Sequence, residues 1–332
     1  MESELAKASL RPLGRSSLSV SPLGLGCWQF SRGKGIVGGY WSNLDESDIL
    51  EIVRVSLEGG MNWVDTAEIY GGGKSEEALA HVLDQLKKEG SPHAAPVIAT
   101  KWWPLLRTAS SITATIDERI RCLGGREIDL YQIHQPFSLS SIASEMKAMA
   151  GLVKAGKIRY VGVSNYSAKQ MTEAHRLLQQ YGLHLVSNQV KYNLLDRKID
   201  RNGTMAAAKE LGISIIAYSP LQQGILTGRF HKDPAQIGAV SRVRRMQSGL
   251  DEKSMARSKP LIDSLTVLAD KYTVTPGQIA LNWLIHYNGD TVVAIPGASK
   301  ARHARENIGA MSFRLTQDEL EHLNGASWSA LK

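Results

Sequence analysis

Eight short apolar runs follow the opening segment of the chain, at residues 23–28, 62–66, 97–101, 128–134, 159–165, 185–191, 213–219 and 292–296. Most are nearly continuous rather than alternating, the pattern of parallel strands covered on both faces. Between them the apolar spacing turns helical. The stretch 45–58 carries Ile49, Ile52, Val53, Val55 and Leu57 on one broad face. The stretch 75–88 opens with Glu76 and Glu77, which suit the positive end of a helix. Further helices fit 112–123, 140–155, 168–181, 202–211 and 276–287, with a last one near 317–324.

Eight strands alternating with helices predict an α/β fold, a closed (β/α)8 TIM barrel. An open doubly wound sheet would carry Gly-x-Gly-x-x-Gly after its first strand, whereas Gly24-Leu25-Gly26-Cys27-Trp28-Gln29 lacks the third glycine. The stretch 10–21, centred on Gly14 and two serines, reads as an N-terminal β-hairpin able to plug the bottom of the barrel. Two long loops, 29–44 and 222–256, break the regular spacing, and such loops are usually functional or disordered. With no linker, repeat or low-complexity stretch, residues 1–332 are expected to form a single domain.

Composition narrows the class. A hydrophobic content of 43% and a charged content of 21% are ordinary for a globular protein of 332 residues. The formal charge of +7 is scattered apart from clusters at Arg242–Arg245 and Lys300–Arg305. That pattern favours a solvated surface over nucleic-acid binding. Cys27 and Cys122 form no metal-binding or disulfide pattern, so no metal is expected and a reducing, cytoplasmic setting is. No apolar run approaches the ~18 residues of a membrane span.

The chemistry lies at the strand ends, where a barrel of this kind builds its active site. Asp65 ends the second run, Tyr70 lies in the loop after it, Lys101 ends the third and His134 the fourth. A phenol beside an ammonium is a route to a proton donor near neutral pH, because the positive charge favours the phenolate. That combination points to carbonyl reduction rather than hydrolysis. Taken singly, each residue has a structural reading, as a cap, a turn aromatic, a solvated strand end or a core histidine; gathered at successive strand ends, they read as one catalytic unit. Gly71-Gly72-Gly73-Lys74-Ser75 looks like the end of a phosphate-binding loop, but the required earlier glycine position is Glu68.

At this level the sequence resembles the aldo-keto reductase superfamily. Asp-Thr-Ala-Glu-Ile-Tyr-Gly at 65–71, Thr-Lys at 100–101, His-Gln-Pro at 134–136, Gly-Val-Ser-Asn-Tyr at 162–166, Ala-Tyr-Ser-Pro-Leu at 217–221 and Ile-Pro-Gly at 295–297 match it in order, over about residues 10–325. The resemblance implies NADPH-dependent reduction of aldehydes or ketones. Tyr70 would be the general acid, Lys101 would lower its pKa, Asp65 would hold Lys101, and His134 would orient the carbonyl. It further implies that Ser164, Asn165 and Gln189 bind the nicotinamide carboxamide and that Tyr218 stacks on its ring. Ser219, Leu221, Gly224 and Leu226 would wrap the pyrophosphate. Gly297, Ser299, Lys300, His303, Glu306 and Asn307 match the adenosine end. There the chain departs from the usual pattern, with Gly297 and Ala298 at the positions of a Lys-Ser pair and His303 where arginine or glutamine often stands.

Basic side chains around Lys300 and Arg302 favour NADPH, with NADH as the alternative. Trp28, Trp102 and Trp103 are expected to wall the substrate pocket. A short tail after the last helix predicts an open pocket tolerant of many aldehydes, with selectivity set by loops 29–44 and 222–256. The competing reading is a cofactor-binding regulatory subunit resembling potassium-channel β subunits, against which His134 and the lack of a long N-terminal tail weigh. The expected partner is a small carbonyl compound, with neither nucleic acid nor membrane, and the sequence leaves the oligomeric state open.

Overall fold

The structure is a computed structural model that describes residues 10–31, 33, 43–240, 245 and 249–331. Much of the expected loop 29–44, and residues 241–244 and 246–248 of the loop 222–256, lie outside the described residues.

Strands β1 (Arg11–Pro12) and β2 (Ser19–Val20) pair antiparallel as the N-terminal hairpin. Eight parallel strands follow: β3 (Leu25–Gly26), β4 (Trp63–Asp65), β5 (Val97–Trp102), β6 (Ile128–Ile133), β7 (Ile158–Ser164), β8 (Leu185–Lys191), β9 (Ser214–Tyr218) and β10 (Val292–Ala294). They neighbour one another in chain order. The first and last also meet, through Gly24 N to Ala294 O at 2.9 Å, Ala294 N to Pro22 O at 3.0 Å and Gly26 N to Pro296 O at 3.2 Å. This closes the (β/α)8 barrel. Gly26 serves that closure, since a Cβ there would fall 2.8 Å from the Ile295 carbonyl, whereas a Cβ at Gly24 would collide with the Trp63 indole packed in the lumen.

The hairpin does plug the bottom. Leu13, Leu18 and Val20 join Trp63, Ala99, Leu130, Val186, Ile216 and Val293 in one buried cluster inside the barrel. A larger apolar layer lies between the barrel and its helices. Strand and helix periods explain the division, since alternate strand residues face the lumen and the rest face the helical ring.

Several elements differ from expectation. The first run, 23–28, yields only a two-residue strand before a 3₁₀ turn at Trp28–Ser31. The helix expected at 202–211 is found at Thr204–Leu211, entered through Gly203 at φ 84°, and a short helix that the pattern missed, Lys198–Arg201, precedes it. The stretch 222–256 holds a short helix at Arg229–Lys232 and then enters a long one, Glu252–Tyr272, that the pattern missed. Pro260 sits inside that helix and reads in a sequence as a break. Among the described residues no helix is long and apolar enough to cross a membrane.

Candidate active site

The strand register sets the core of the site. Asp65 ends β4, and Lys101 on β5 pairs in register with Gln132 on β6. Lys101 Nζ donates to Asp65 Oδ1 at 2.5 Å and to the Thr66 carbonyl at 2.8 Å. Asp65 Oδ2 accepts from Gln189 Nε2 at 2.8 Å and from Gln132 Nε2 at 3.1 Å. All four side chains are buried. Both carboxylate oxygens are thus engaged, and three donors from three other strands converge on one acid. Burial works to lower the Lys101 pKa, but Asp65 and then Tyr70 carry it above the ordinary value, so the ammonium persists.

Tyr70 stands above this cluster, its ring centroid 5.1 Å from Lys101 Nζ. Three successive left-handed glycines, Gly71, Gly72 and Gly73, turn the chain from Tyr70 into the helix Lys74–Lys88. The resemblance of 71–75 to a phosphate loop is a consequence of this turn. The phenol does not shift down as the sequence suggested: burial raises it above its ordinary value, with Lys101 opposing that rise. His134 follows β6 and is driven well below the usual imidazole range, first by burial and then by Lys101, so it is neutral. Its Nδ1 has no hydrogen-bond partner among the described residues.

Aromatic rings enclose these groups. Trp28 lies nearly parallel to Tyr70 with centroids 6.0 Å apart, and His134 meets both Tyr70 and Trp103 edge-on at 5.7 and 5.2 Å. Trp28 and Trp103 line a cleft of about 480 Å³ together with Asp65, Tyr70 and His134. Trp102 does not. It is fully buried against the helical ring, its Nε1 donating to Ser111 Oγ at 3.1 Å. Alternation gives the reason: Lys101 faces the lumen, so its strand neighbour must face outward.

The other arm of the cleft runs past Ser164, Asn165, Gln189 and Tyr218 to Ser219, Leu221 and Gly224, and ends at Gly297, Ser299, His303, Glu306 and Asn307. Asn165, at φ 60°, donates to Ser164 Oγ at 3.0 Å and accepts from the Tyr218 hydroxyl at 3.1 Å. Burial, then Asp196 and Tyr70, push the Tyr218 phenol up to about 12. Because Gln189 Nε2 is committed to Asp65, the amide oxygen is what it can offer a ligand. The loop after β9 holds Ser219, Gln222, Gln223 and Gly224 all at positive φ. Left-handed residues in such density are costly for non-glycines and help turn backbone N–H groups into an anion-binding concavity. Asn307 Nδ2 is buried without a hydrogen-bond partner among the described residues.

A model of the aldo/keto reductase family matches residues 22–327. The chain belongs to that family. It is therefore an oxidoreductase, and the reductase is 31% identical over 320 residues to the chloroplastic pyridoxal reductase of Arabidopsis thaliana, covering 93% of this chain and 84% of that protein. Among solved structures, the thermostable aldo-keto reductase Tm1743, determined with the inhibitor epalrestat, matches with a TM-score of 0.74 and 28% identity. The match covers 96% of this chain and 99% of that one. An aldo/keto reductase from Klebsiella pneumoniae, solved with NADP and acetate, shares the fold at a TM-score of 0.72 and 24% identity, covering 96% and 95%.

Two residues of the reductase's far arm stand apart from the sequence expectation. Leu226 is fully buried in the core, and Lys300 is exposed outside the cleft at the start of the helix Ala301–Gly309. In their place Arg229, unforeseen, lines the cleft beside Gly224. Burial and then Arg302 lower the Arg229 pKa, while burial, Arg302, Arg229 and Lys300 lower that of His303. These cations press on one another, and among the described residues neither Arg229 nor Arg302 has a carboxylate partner. Gln132 was the other omission. Its position two residues before His134, on the same strand face, was the available signal.

Proposed function

We propose that this reductase converts aldehydes or ketones to alcohols with NADPH, the overall exchange being carbonyl plus NADPH plus a proton to alcohol plus NADP⁺. The observation that carries the reading is the buried Asp65–Lys101 pair beneath Tyr70 and neutral His134 in one aromatic-walled cleft. Bound NADPH would supply the hydride. The residues of the far arm fit such a group. Gln189 Oε1, Ser164 and Asn165 suit a carboxamide, Tyr218 a flat ring, the left-handed loop with Arg229 a pyrophosphate, and Ser299 with His303 a further phosphate, with Arg302 exposed beside the cleft on the same helix and able to reach in only from its rim. Glu306 and the Asn307 amide, whose Nδ2 has no partner among the described residues, suit the adenine. The excess of uncompensated cations at that end favours NADPH over NADH.

At the carbonyl, neutral His134 donates a hydrogen bond to the oxygen and aligns it. Tyr70 hands its proton to the same oxygen as negative charge develops there. Lys101 stabilises the resulting phenolate, and Asp65, fixed by Gln132 and Gln189, keeps the ammonium in place. Trp28 and Trp103 exclude water from the reacting faces.

The test is NADPH oxidation with 4-nitrobenzaldehyde. The wild type should turn over, and Tyr70→Phe should lose about a thousand-fold in kcat, within the range typical of general acid catalysis, while still binding NADPH. Equal, measurable rates for wild type and Tyr70→Phe would overturn Tyr70 as the acid, and no turnover with any aldehyde by either protein would overturn the reading and favour a cofactor-binding regulatory protein.

A further inference from the structure

Half of the eight large hydrophobic side chains that stand exposed among the described residues fall in two neighbouring loops that run on from the cleft-lining residues Trp103 and Gln135. Leu105 and Leu106 are 46% and 78% exposed, and Phe137 and Leu139 are 45% and 64% exposed. Leu106 is held outward on left-handed backbone at φ 55°, a conformation a leucine rarely adopts. Clustered exposure of this kind marks a binding surface more often than chance. The patch is continuous with the cleft, because Phe137 meets the edge of Trp103 at 5.8 Å and Trp103 in turn meets His134.

One side chain stitches the patch together. Arg107 Nη1 donates to Glu68 Oε1 at 2.7 Å and to the Trp103 carbonyl at 3.0 Å. Its Nε and Nη2 reach Ser111 Oγ and Thr115 Oγ1, each at 3.0 Å. Glu68 Oε2 accepts from the Trp103 N–H at 2.9 Å, so the indole-bearing residue is gripped at both backbone ends. The second loop is tied to the first by Leu139 N to Arg107 O at 2.8 Å and by Ala109 N to Ser140 Oγ at 2.9 Å. Only a planar, multi-donor guanidinium serves so many acceptors at once.

We propose that these two loops form an apolar lip for the tail of the carbonyl substrate, and that Arg107, clamped by Glu68, is the positioning residue that holds the lip beside Trp103. The proposal rests on the reduction reading above and adds a substrate class to it: aldehydes carrying an extended alkyl or arylalkyl chain. It also moves selectivity to 103–107 and 137–139, away from the two long loops to which the sequence pointed.

The experiment is a steady-state series from propanal to octanal with NADPH. A fully buried methylene is worth about four-fold in binding and a half-buried one about two-fold. The wild-type kcat/KM should therefore rise about thirty-fold across the five added methylenes. In the double variant Leu105→Ser/Leu106→Ser the rise should collapse to about three-fold. Arg107→Gln should raise KM for octanal about ten-fold with kcat changed far less, and Arg107→Lys should not rescue it, since an ammonium cannot fork. NADPH binding, followed by quenching of tryptophan fluorescence, confirms that each variant is folded. A flat series in an active wild type, or an unchanged slope in the double variant, would overturn the lip while leaving the reduction reading standing. Absence of turnover with every aldehyde would overturn both. A concentration-dependent dimer dissolved by the double substitution, with a flat series, would assign the patch to a second copy of the chain and overturn the proposal.

Discussion

Replacing Asp65 with asparagine preserves shape and removes one charge. The cost is set by the partners. Lys101 Nζ, Gln132 Nε2 and Gln189 Nε2 all donate to the carboxylate, two of them to the same oxygen. An asparagine has one acceptor oxygen and turns an N–H₂ group toward the remaining donors, so neither amide orientation satisfies the site. The Lys101 ammonium is left buried without its counter-ion, and breaking such a pair from one side costs about 3–5 kcal/mol. The loss should depend on pH. In the wild type the folded Lys101 value lies above the ordinary 10.5. Its contribution to stability is therefore fully present below that ordinary value and fades only as pH climbs through the raised one. In Asp65→Asn the burial that opposes the charge meets no such counterweight. The folded value falls below 10.5, and the penalty is present at neutral pH and relieved as pH rises through the lowered value. Urea unfolding of both proteins at pH 7 and at pH 9.5, followed by circular dichroism, measures the gap directly. A gap below about 1 kcal/mol at pH 7, or one that widens toward pH 9.5, would refute the account of Asp65 as the counter-ion of a buried ammonium.

Arg229→Gln should weaken NADPH and NADH alike by about ten-fold or more, the loss of a charge-assisted bond, whereas Arg302→Gln should weaken NADPH selectively; titration of both cofactors into each variant separates the pyrophosphate assignment from the additional-phosphate one. Trp102→Ala should lower stability by about 3–5 kcal/mol and spare the aldehyde KM, while Trp103→Ala should raise that KM with a smaller loss of stability; parallel denaturation and kinetics on the two variants check the assignment of Trp102 to the core.

The barrel was legible because parallel strands buried on both faces must be nearly all apolar, and eight such runs are hard to produce otherwise. The quartet was legible because each member ends or follows one of those runs. Trp102 was misread although the rule that places it was at hand, since the alternation that sends Lys101 inward sends Trp102 outward. Gln132 was readable by the same rule. Arg229 was not, because 33 residues without a strand-and-helix pattern in the sequence separate β9 from the helix Glu252–Tyr272, and a basic residue in such a stretch resembles a solvated one. The Glu68–Arg107 clamp depends on which acceptors the folded loops present to one guanidinium, and no local spacing encodes that.

The upward displacement of Tyr70 changes what kind of acid the proposed reaction uses. A phenol lowered strongly by Lys101 would be partly ionised in the resting site, and a phenolate has no proton to give. Burial holds the proton on Tyr70. An alkoxide is far more basic than a phenolate, so transfer to the developing oxygen is downhill without a depressed pKa. Lys101 then acts mainly after the proton has left, because attraction between ammonium and phenolate arises only once the phenol ionises. Neutral His134 adds no competing positive charge that would loosen the proton early. The three strands that saturate Asp65 fix Lys101 so that this stabilisation is ready before the charge appears. Acid strength in this site belongs to the transition state, set by where the ammonium is held, rather than to the resting equilibrium of the phenol.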